Sequence, residues 1–152
     1  MIGSIDRAVT DLVQIHPLNN SYYAQCLEIF EANSDQRPGL LGWFEANVVS
    51  KMSQDANTIL SVGCGTGAFD ERILGYARAR MNQVTYLGIE PNEISAAEFL
   101  QAMGSQICDQ VDVSVLVQRF GEQTFENEFD LILFVQSIYY LEDRNDAIDA
   151  AM

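Results

Sequence analysis

The stretch that most constrains this chain is Ile59-Leu60-Ser61-Val62-Gly63-Cys64-Gly65-Thr66-Gly67-Ala68-Phe69-Asp70. Four apolar or small residues run into glycines at three alternate positions, and a helix-like pattern follows. A strand, a glycine turn and a helix in that order is how an α/β sheet receives a nucleotide-like ligand. Glycine lets the backbone turn sharply there and lie against the ligand. The glycines alone leave the ligand open, since G-x-G turns serve several cofactor classes.

The flanking sequence places this turn in a sheet. Thr58 to Val62 reads as the first strand, and Phe69, Ile73 and Ala77 mark the buried face of a helix ending near Arg80. Val84 to Ile89 is a second strand, closed by Glu90-Pro91-Asn92. Asn92 is placed to cap a helix with Ala96, Phe99, Leu100 and Met103 inward. Val111 to Val117 alternates as a third strand, and Gln118 to Asn127 is a polar loop. Asp130 to Val135 is a fourth strand, apolar enough to predict burial on both faces. With right-handed crossovers this order predicts a doubly wound parallel sheet. The first strand is central, the second and third lie outward on one side, and the fourth lies on the other. The ligand belongs at the carboxyl ends of strands one and four, where the order reverses.

Two helices precede the sheet. Residues 1–20 are weakly patterned, with a loop at His16-Pro17 and Asn19-Asn20, and Ser21 is a candidate cap for a helix with Tyr23, Cys26, Leu27 and Phe30 on one face. Glu31 to Arg37 break the pattern. Pro38 suits the first turn of a second helix with a Leu41, Phe44, Val48 and Met52 stripe. Residues 1–55 therefore read as a helical segment placed to act as a lid, and 56–152 as the sheet core. Packing alone also explains both stripes.

Charge narrows the function. The formal net charge is −14, from 22 acidic and 8 basic residues. Such a surface repels phosphate backbones and anionic membranes, and argues against nucleic-acid and membrane partners. Cys26, Cys64 and Cys108 are widely spaced, with no C-x-x-C, which points to reduced thiols in a cytoplasmic protein and no metal site.

Glu90 closes the second strand 23 residues after Gly67, where an acid accepts ribose hydroxyls of either a nicotinamide dinucleotide or S-adenosylmethionine. The G-x-G-x-G spacing puts Ala68 at the third dinucleotide position, a tolerated substitute. Asp70 and Glu71 fall in the first turn of the following helix. Acids there stabilise the helix end and oppose a pyrophosphate, so the turn suits a cofactor without phosphate better. An oxidoreductase domain is the disfavoured alternative.

These residues carry a resemblance. Ile59 to Asp70 with Ile89-Glu90-Pro91, and Phe129 to Asp143, are similar to motifs of class I S-adenosylmethionine-dependent methyltransferases over about residues 57–145. Within them, Ile-Leu-Ser-Val-Gly-x-Gly-x-Gly, Glu90-Pro91 and Gln136-x-x-Tyr139-Tyr140 resemble the histamine N-methyltransferases. The resemblance implies an α/β, Rossmann-like fold and S-adenosyl-L-methionine as cofactor. It implies that Gly63, Cys64, Gly65 and Gly67 wrap the methionine part and that Glu90 holds the ribose. It places Ser95, where the family has Gln, near the adenosine, Glu122 or Gln123 beside the adenine, and Val135 against the cofactor.

On the substrate side the resemblance implies Gln136, Tyr139 and Tyr140, with Asp35, where the family has Glu, anchoring a ring nitrogen or ammonium. The bland readings stand beside these: Tyr139 and Tyr140 as strand-end packing, Asp35 as a solvated loop acid. The implied reaction is in-line attack of a neutral small-molecule amine on the sulfonium methyl, with no strong base required. His16, the only histidine, has no place at the site.

The family's sheet has seven strands and this pattern supplies four. The expectation is an amino-terminal half, truncated after strand four, whose apolar edge is completed by another chain or a missing C-terminal half. A non-catalytic cofactor-binding or interaction module is the alternative to an enzyme.

Overall fold

The computed structural model describes residues 19–122, 125, 128–141 and 144–149. The expected loop at His16-Pro17 and the candidate Gln123 lie outside the described residues. The chain divides into two compact units, Met1–Ala32 and Asn33–Met152.

In the first unit the described element is helix α1 (Asn20–Asn33). Its cap is Asn19 rather than the expected Ser21. The Asn19 side-chain oxygen accepts from Tyr22 N at 2.9 Å and its carbonyl accepts from Tyr23 N. Asn at that position satisfies donors that a cap two residues later would leave unpaired. Phe30, expected on the inward stripe, is exposed.

The second unit begins with α2 (Gln36–Asn47) and a 3₁₀ turn at Val49–Lys51. The break before α2 is only Ser34-Asp35, shorter than the expected Glu31 to Arg37. Pro38 lacks an N–H that the first helical turn does not use, so the helix starts two residues before it. The predicted stripe holds: Phe44 is buried, and Leu41, Val48 and Met52 pack against the same core. Phe44 meets Phe69 edge-on, with ring centroids 6.4 Å apart.

The sheet then forms from β1 (Thr58–Val62), β2 (Val84–Ile89), β3 (Val111–Leu116) and β4 (Leu131–Leu133). All pairs are parallel and the order is β3-β2-β1-β4, as expected. Between the strands run α3 (Ala68–Arg78) and α4 (Glu93–Gly104), and α5 (Arg144–Asp149) follows β4. Asn92 caps α4 as expected, its side chain accepting from Ile94 N and Ser95 N. Leu100, expected inward, is exposed, while Ala96, Phe99 and Met103 are buried.

Helices cover one face of this sheet. Ile59, Val84, Tyr86, Val111, Val113 and Leu133 point into a core filled by α2, α3 and α4. Fully buried Ile73 and Leu74 each contribute about 1.5–3 kcal/mol there. The opposite face carries Leu60, Val62 and Ile89, packed by Phe120, Phe125, Phe129 and Phe134. Among the described residues no helix joins that second cluster, so the sheet is not doubly wound within them. The reason is topological. The crossovers from β1 to β2 and from β2 to β3 step in the same direction with the same hand, so both helices land on one face. Among the described residues the return from β3 to β4 carries no helix and brings Phe120, Phe125 and Phe129 to the opposite face.

Strand β4 is shorter than the expected Asp130 to Val135, and Leu131 and Ile132 are half-buried rather than enclosed on both faces. It pairs with β1 alone among the described residues, and one neighbour does not enclose a strand. Its start is fixed by Asp130. One carboxylate oxygen of Asp130 accepts from Asn57 N, Thr58 N and Thr58 Oγ1 at 2.8–2.9 Å.

Candidate cofactor and substrate site

The carboxyl ends of β1, β2 and β4 bring most of the candidate residues together. Val62 leads into a turn in which Gly63, Gly65 and Gly67 have φ of 70°, 57° and 80°. The amide of Gly63 donates to Ile89 O at 2.8 Å and that of Cys64 to the same oxygen at 3.2 Å, which ties the turn to the end of β2. Gly67 then caps α3, its carbonyl accepting from Glu71 N.

Two of the three glycines are covered by protein. A Cβ on Gly63 would lie 2.6 Å from Ser137 Cβ, and one on Gly67 would lie 2.9 Å from the Phe99 ring. A Cβ on Gly65 would meet nothing within 4 Å. Gly65 is therefore the glycine whose Cα faces open space.

Glu90 stands beside it. Its Oε2 accepts from Gly65 N at 3.1 Å and its Oε1 from Asn92 N at 2.8 Å. Burial raises the Glu90 pKa above the ordinary carboxylate range, and the Asn92 and Gly65 amides oppose that rise. Two of the four lone-pair positions of a carboxylate are used this way, and two remain to accept hydroxyls.

Cys64 lines the turn with its backbone, while its side chain is buried in the core. Its Sγ lies against β2, where a Cβ on Gly88 would come within 2.7 Å of it. Burial, followed by the nearby Asp70 and Glu90 charges, pushes the thiol pKa up and keeps it protonated. A buried neutral thiol packs; it does not attack.

Asp70 departs from expectation. It is 3% exposed and turned inward, and its Oδ1 accepts from the Tyr86 hydroxyl at 2.8 Å. Desolvation raises its pKa, against hydrogen bonds from Ser61 and Tyr86 and the charge of Arg37. Asp70 therefore does not oppose a phosphate at the helix start as expected, because its carboxyl faces the core. Helical periodicity could not reveal this, since the partner lies on β2, 16 residues along the chain.

The remaining cofactor candidates are spread along the site. Ser95 is 1% exposed on α4, with its Oγ unpartnered. Glu122 is exposed and accepts from Arg119 N at 3.1 Å, closing its own turn. Val135 is half-buried against the helix-covered core. Sequence reading missed Gln118, two residues past β3, whose Nε2 is buried without a partner. An orphaned buried donor at a strand's carboxyl end is available to a ligand acceptor, and the polar loop gave no pattern to single it out.

The substrate candidates lie just past β4. Gln136 is half-buried with φ 55°, the one non-glycine residue at positive φ among those described. Tyr139 and Tyr140 stand on a 3₁₀ turn, Ile138–Tyr140, beyond the strand rather than at its end. They are 51% and 65% exposed, with ring centroids 4.6 Å apart. Burial, with Tyr140 alongside, raises the Tyr139 pKa, so Tyr139 presents a neutral ring. Asp35 is exposed at the start of α2 and makes no capping hydrogen bond.

The profile of the methyltransferase domain family matches residues 60–152, more than half of the chain, and takes in the glycine turn, Glu90 and the β4 end. The chain belongs to that family. Solved structures agree on the fold. A methyltransferase-family fold recurs in an S-adenosylmethionine-dependent methyltransferase from Clostridium acetobutylicum, 18% identical with a TM-score of 0.59, over 85% of this chain and 51% of that one. A candidate S-adenosyl-L-methionine-dependent methyltransferase from Methanococcus maripaludis is 14% identical with a TM-score of 0.59, over 89% and 59%. The YcgJ protein from Bacillus subtilis is 13% identical with a TM-score of 0.51, over 70% and 43%. No curated protein matches. This methyltransferase-domain chain thus spans about half the length of the structures it resembles, and it is a Rossmann-like class I methyltransferase sheet. No helix among its described residues is long and apolar enough to cross a membrane.

Proposed function

We propose that this chain forms the cofactor-binding part of an S-adenosylmethionine-dependent N-methyltransferase acting on a small-molecule amine. The observation that carries the reading is the Glu90 carboxylate bound to the Gly65 amide, with lone pairs left over beside open space.

The residues present fit S-adenosylmethionine, which when bound supplies an electrophilic methyl group. Gly63, Cys64, Gly65 and Gly67 offer backbone to its methionine part and Glu90 accepts from its ribose. Gln118 Nε2 offers a donor to the adenine, with Ser95, Glu122 and Val135 completing that side.

The amine lies on the Gln136, Tyr139 and Tyr140 side. Tyrosine faces attract a cationic part of the substrate, and the Gln136 amide orients an N–H. Asp35 anchors a second nitrogen, giving a histamine-like preference altered by its shorter side chain. Alignment of a neutral amine with the methyl supplies the rate without a strong base. The unpaired side of β4 among the described residues accepts completion of the sheet by further chain or a partner. The three free cysteines accord with the reducing cytoplasm.

A second reading is a cofactor-binding module without turnover, which would use the same Glu90–Gly65 junction. Methyl transfer from labelled S-adenosylmethionine to a panel of small amines separates the two. Transfer to any amine supports the enzyme; binding of cofactor with no transfer to the panel supports the module.

A further inference from the structure

We infer that Ser137 is a positioning residue that couples the cofactor-side glycine turn to the substrate-side turn carrying Gln136, Tyr139 and Tyr140. The inference rests on the methyltransferase reading of the site.

Three contacts converge on Ser137. Its side chain is 7% exposed and its Oγ donates to the carbonyl oxygen of Val62 at 2.5 Å. Val62 is one residue beyond Ser61, the last β1 residue paired with β4, through Leu133. The hydroxyl thus continues the link between the two strands where β4 has already left the sheet. Next to it, Ser137 Cβ lies so close to Gly63 that a Cβ on Gly63 would sit 2.6 Å away. The start of the glycine turn and Ser137 are in contact with no slack between them. On the other side, the Ser137 carbonyl accepts from Tyr140 N at 3.0 Å and begins the 3₁₀ turn that presents both tyrosines.

Gln136 gives a reason for such a latch. A side-chain-bearing residue at φ 55° occupies a sparsely populated region, and it persists only where neighbours over-determine the backbone. The Ser137 hydroxyl bond, one residue along, is such a constraint. A ligand that orders the glycine turn therefore also orders the tyrosine turn through Ser137, because one backbone segment carries both contacts. Cofactor binding thereby assembles the amine side of the site.

Amide hydrogen exchange with S-adenosylhomocysteine as the probe tests this. In the parent, saturating probe slows exchange at Tyr140 and Leu141 about fivefold, the worth of one neutral hydrogen bond. Ser137→Ala still binds the probe but loses that slowing, and Ser137→Thr, which keeps the hydroxyl, restores it. A purely structural role would instead raise exchange with and without probe alike. If Ser137→Ala does not fold, Ser137→Cys keeps the Cβ beside Gly63 and replaces the hydroxyl with a weaker donor, and the same loss is expected. Undiminished slowing in the hydroxyl-free variant overturns the coupling. So does a parent that binds the probe without slowing at Tyr140, and the cofactor reading then survives. A parent that does not bind the probe overturns that reading and the coupling with it.

Discussion

The Tyr86 hydroxyl donates to Asp70 Oδ1 at 2.8 Å, joining β2 to the first turn of α3 directly beneath the glycine turn. Both side chains are buried, and Ser61 on β1 also hydrogen-bonds the pair. An acid placed at a helix start, where the dipole favours it, has been recruited as an interior acceptor that pins the turn from below.

Asp70→Asn keeps an oxygen for Tyr86 and removes the ionisation. The folded-state pKa of Asp70 lies above its ordinary value of 3.8, so the native protein binds the proton more tightly than the unfolded chain. Stability contributed by the neutral form is complete below pH 3.8 and declines as pH rises through the folded-state pKa. Urea unfolding of Asp70→Asn is expected to match or exceed the parent at pH 7, with the difference shrinking towards pH 4. Asp70→Ala removes the acceptor of a buried hydroxyl and costs about 1–3 kcal/mol.

Asp130 has the opposite sign. Hydrogen bonds from Thr58 and Asn57 hold its carboxylate below the ordinary 3.8, so its contribution is present above that pH and is lost as pH falls through the folded-state pKa. Asp130→Asn lowers the urea midpoint at pH 7. Because Asp130 is exposed, the loss is modest, and parent and variant converge in acid. A pH-independent gap would assign the loss to shape rather than charge.

Gly88 tests the packing of the site floor. A methyl group there would meet Cys64 Sγ at 2.7 Å and Phe99 Cζ at 3.1 Å. Gly88→Ala is expected to cost about 1–3 kcal/mol by overpacking, and Cys64→Ala in the same chain returns part of it. The cycle of thermal unfolding measurements gives a positive coupling between the two positions. Additive losses would mean that Phe99, not Cys64, takes the strain.

Much of this arrangement is written locally in the chain. The β1 and β2 limits follow from short apolar runs that end at the glycine turn and at Glu90-Pro91, and the α4 cap follows from Asn92 alone. Strand order follows from handedness. The parts that escape local reading depend on partners distant in sequence. Asp70 needs Tyr86, Ser137 needs Val62 across 75 residues, and Gln118 is singled out only by an amide left unpaired in the interior. The length of β4 depends on a neighbour strand, which the apolar run from Leu131 to Val135 does not specify. The packing of the second sheet face depends on Phe120 and Phe125, which read as loop residues until they are seen against Leu60 and Val62.

The central claim is that the Gly65–Glu90 junction holds S-adenosylmethionine, and titration calorimetry with S-adenosylhomocysteine tests it most directly. The parent binds the probe and not NAD, and Glu90→Ala reduces its affinity at least about tenfold, by loss of hydrogen bonds to a charged acceptor, while Asp35→Ala leaves it unchanged. Binding of NAD without S-adenosylhomocysteine, or full affinity in Glu90→Ala, would contradict the account.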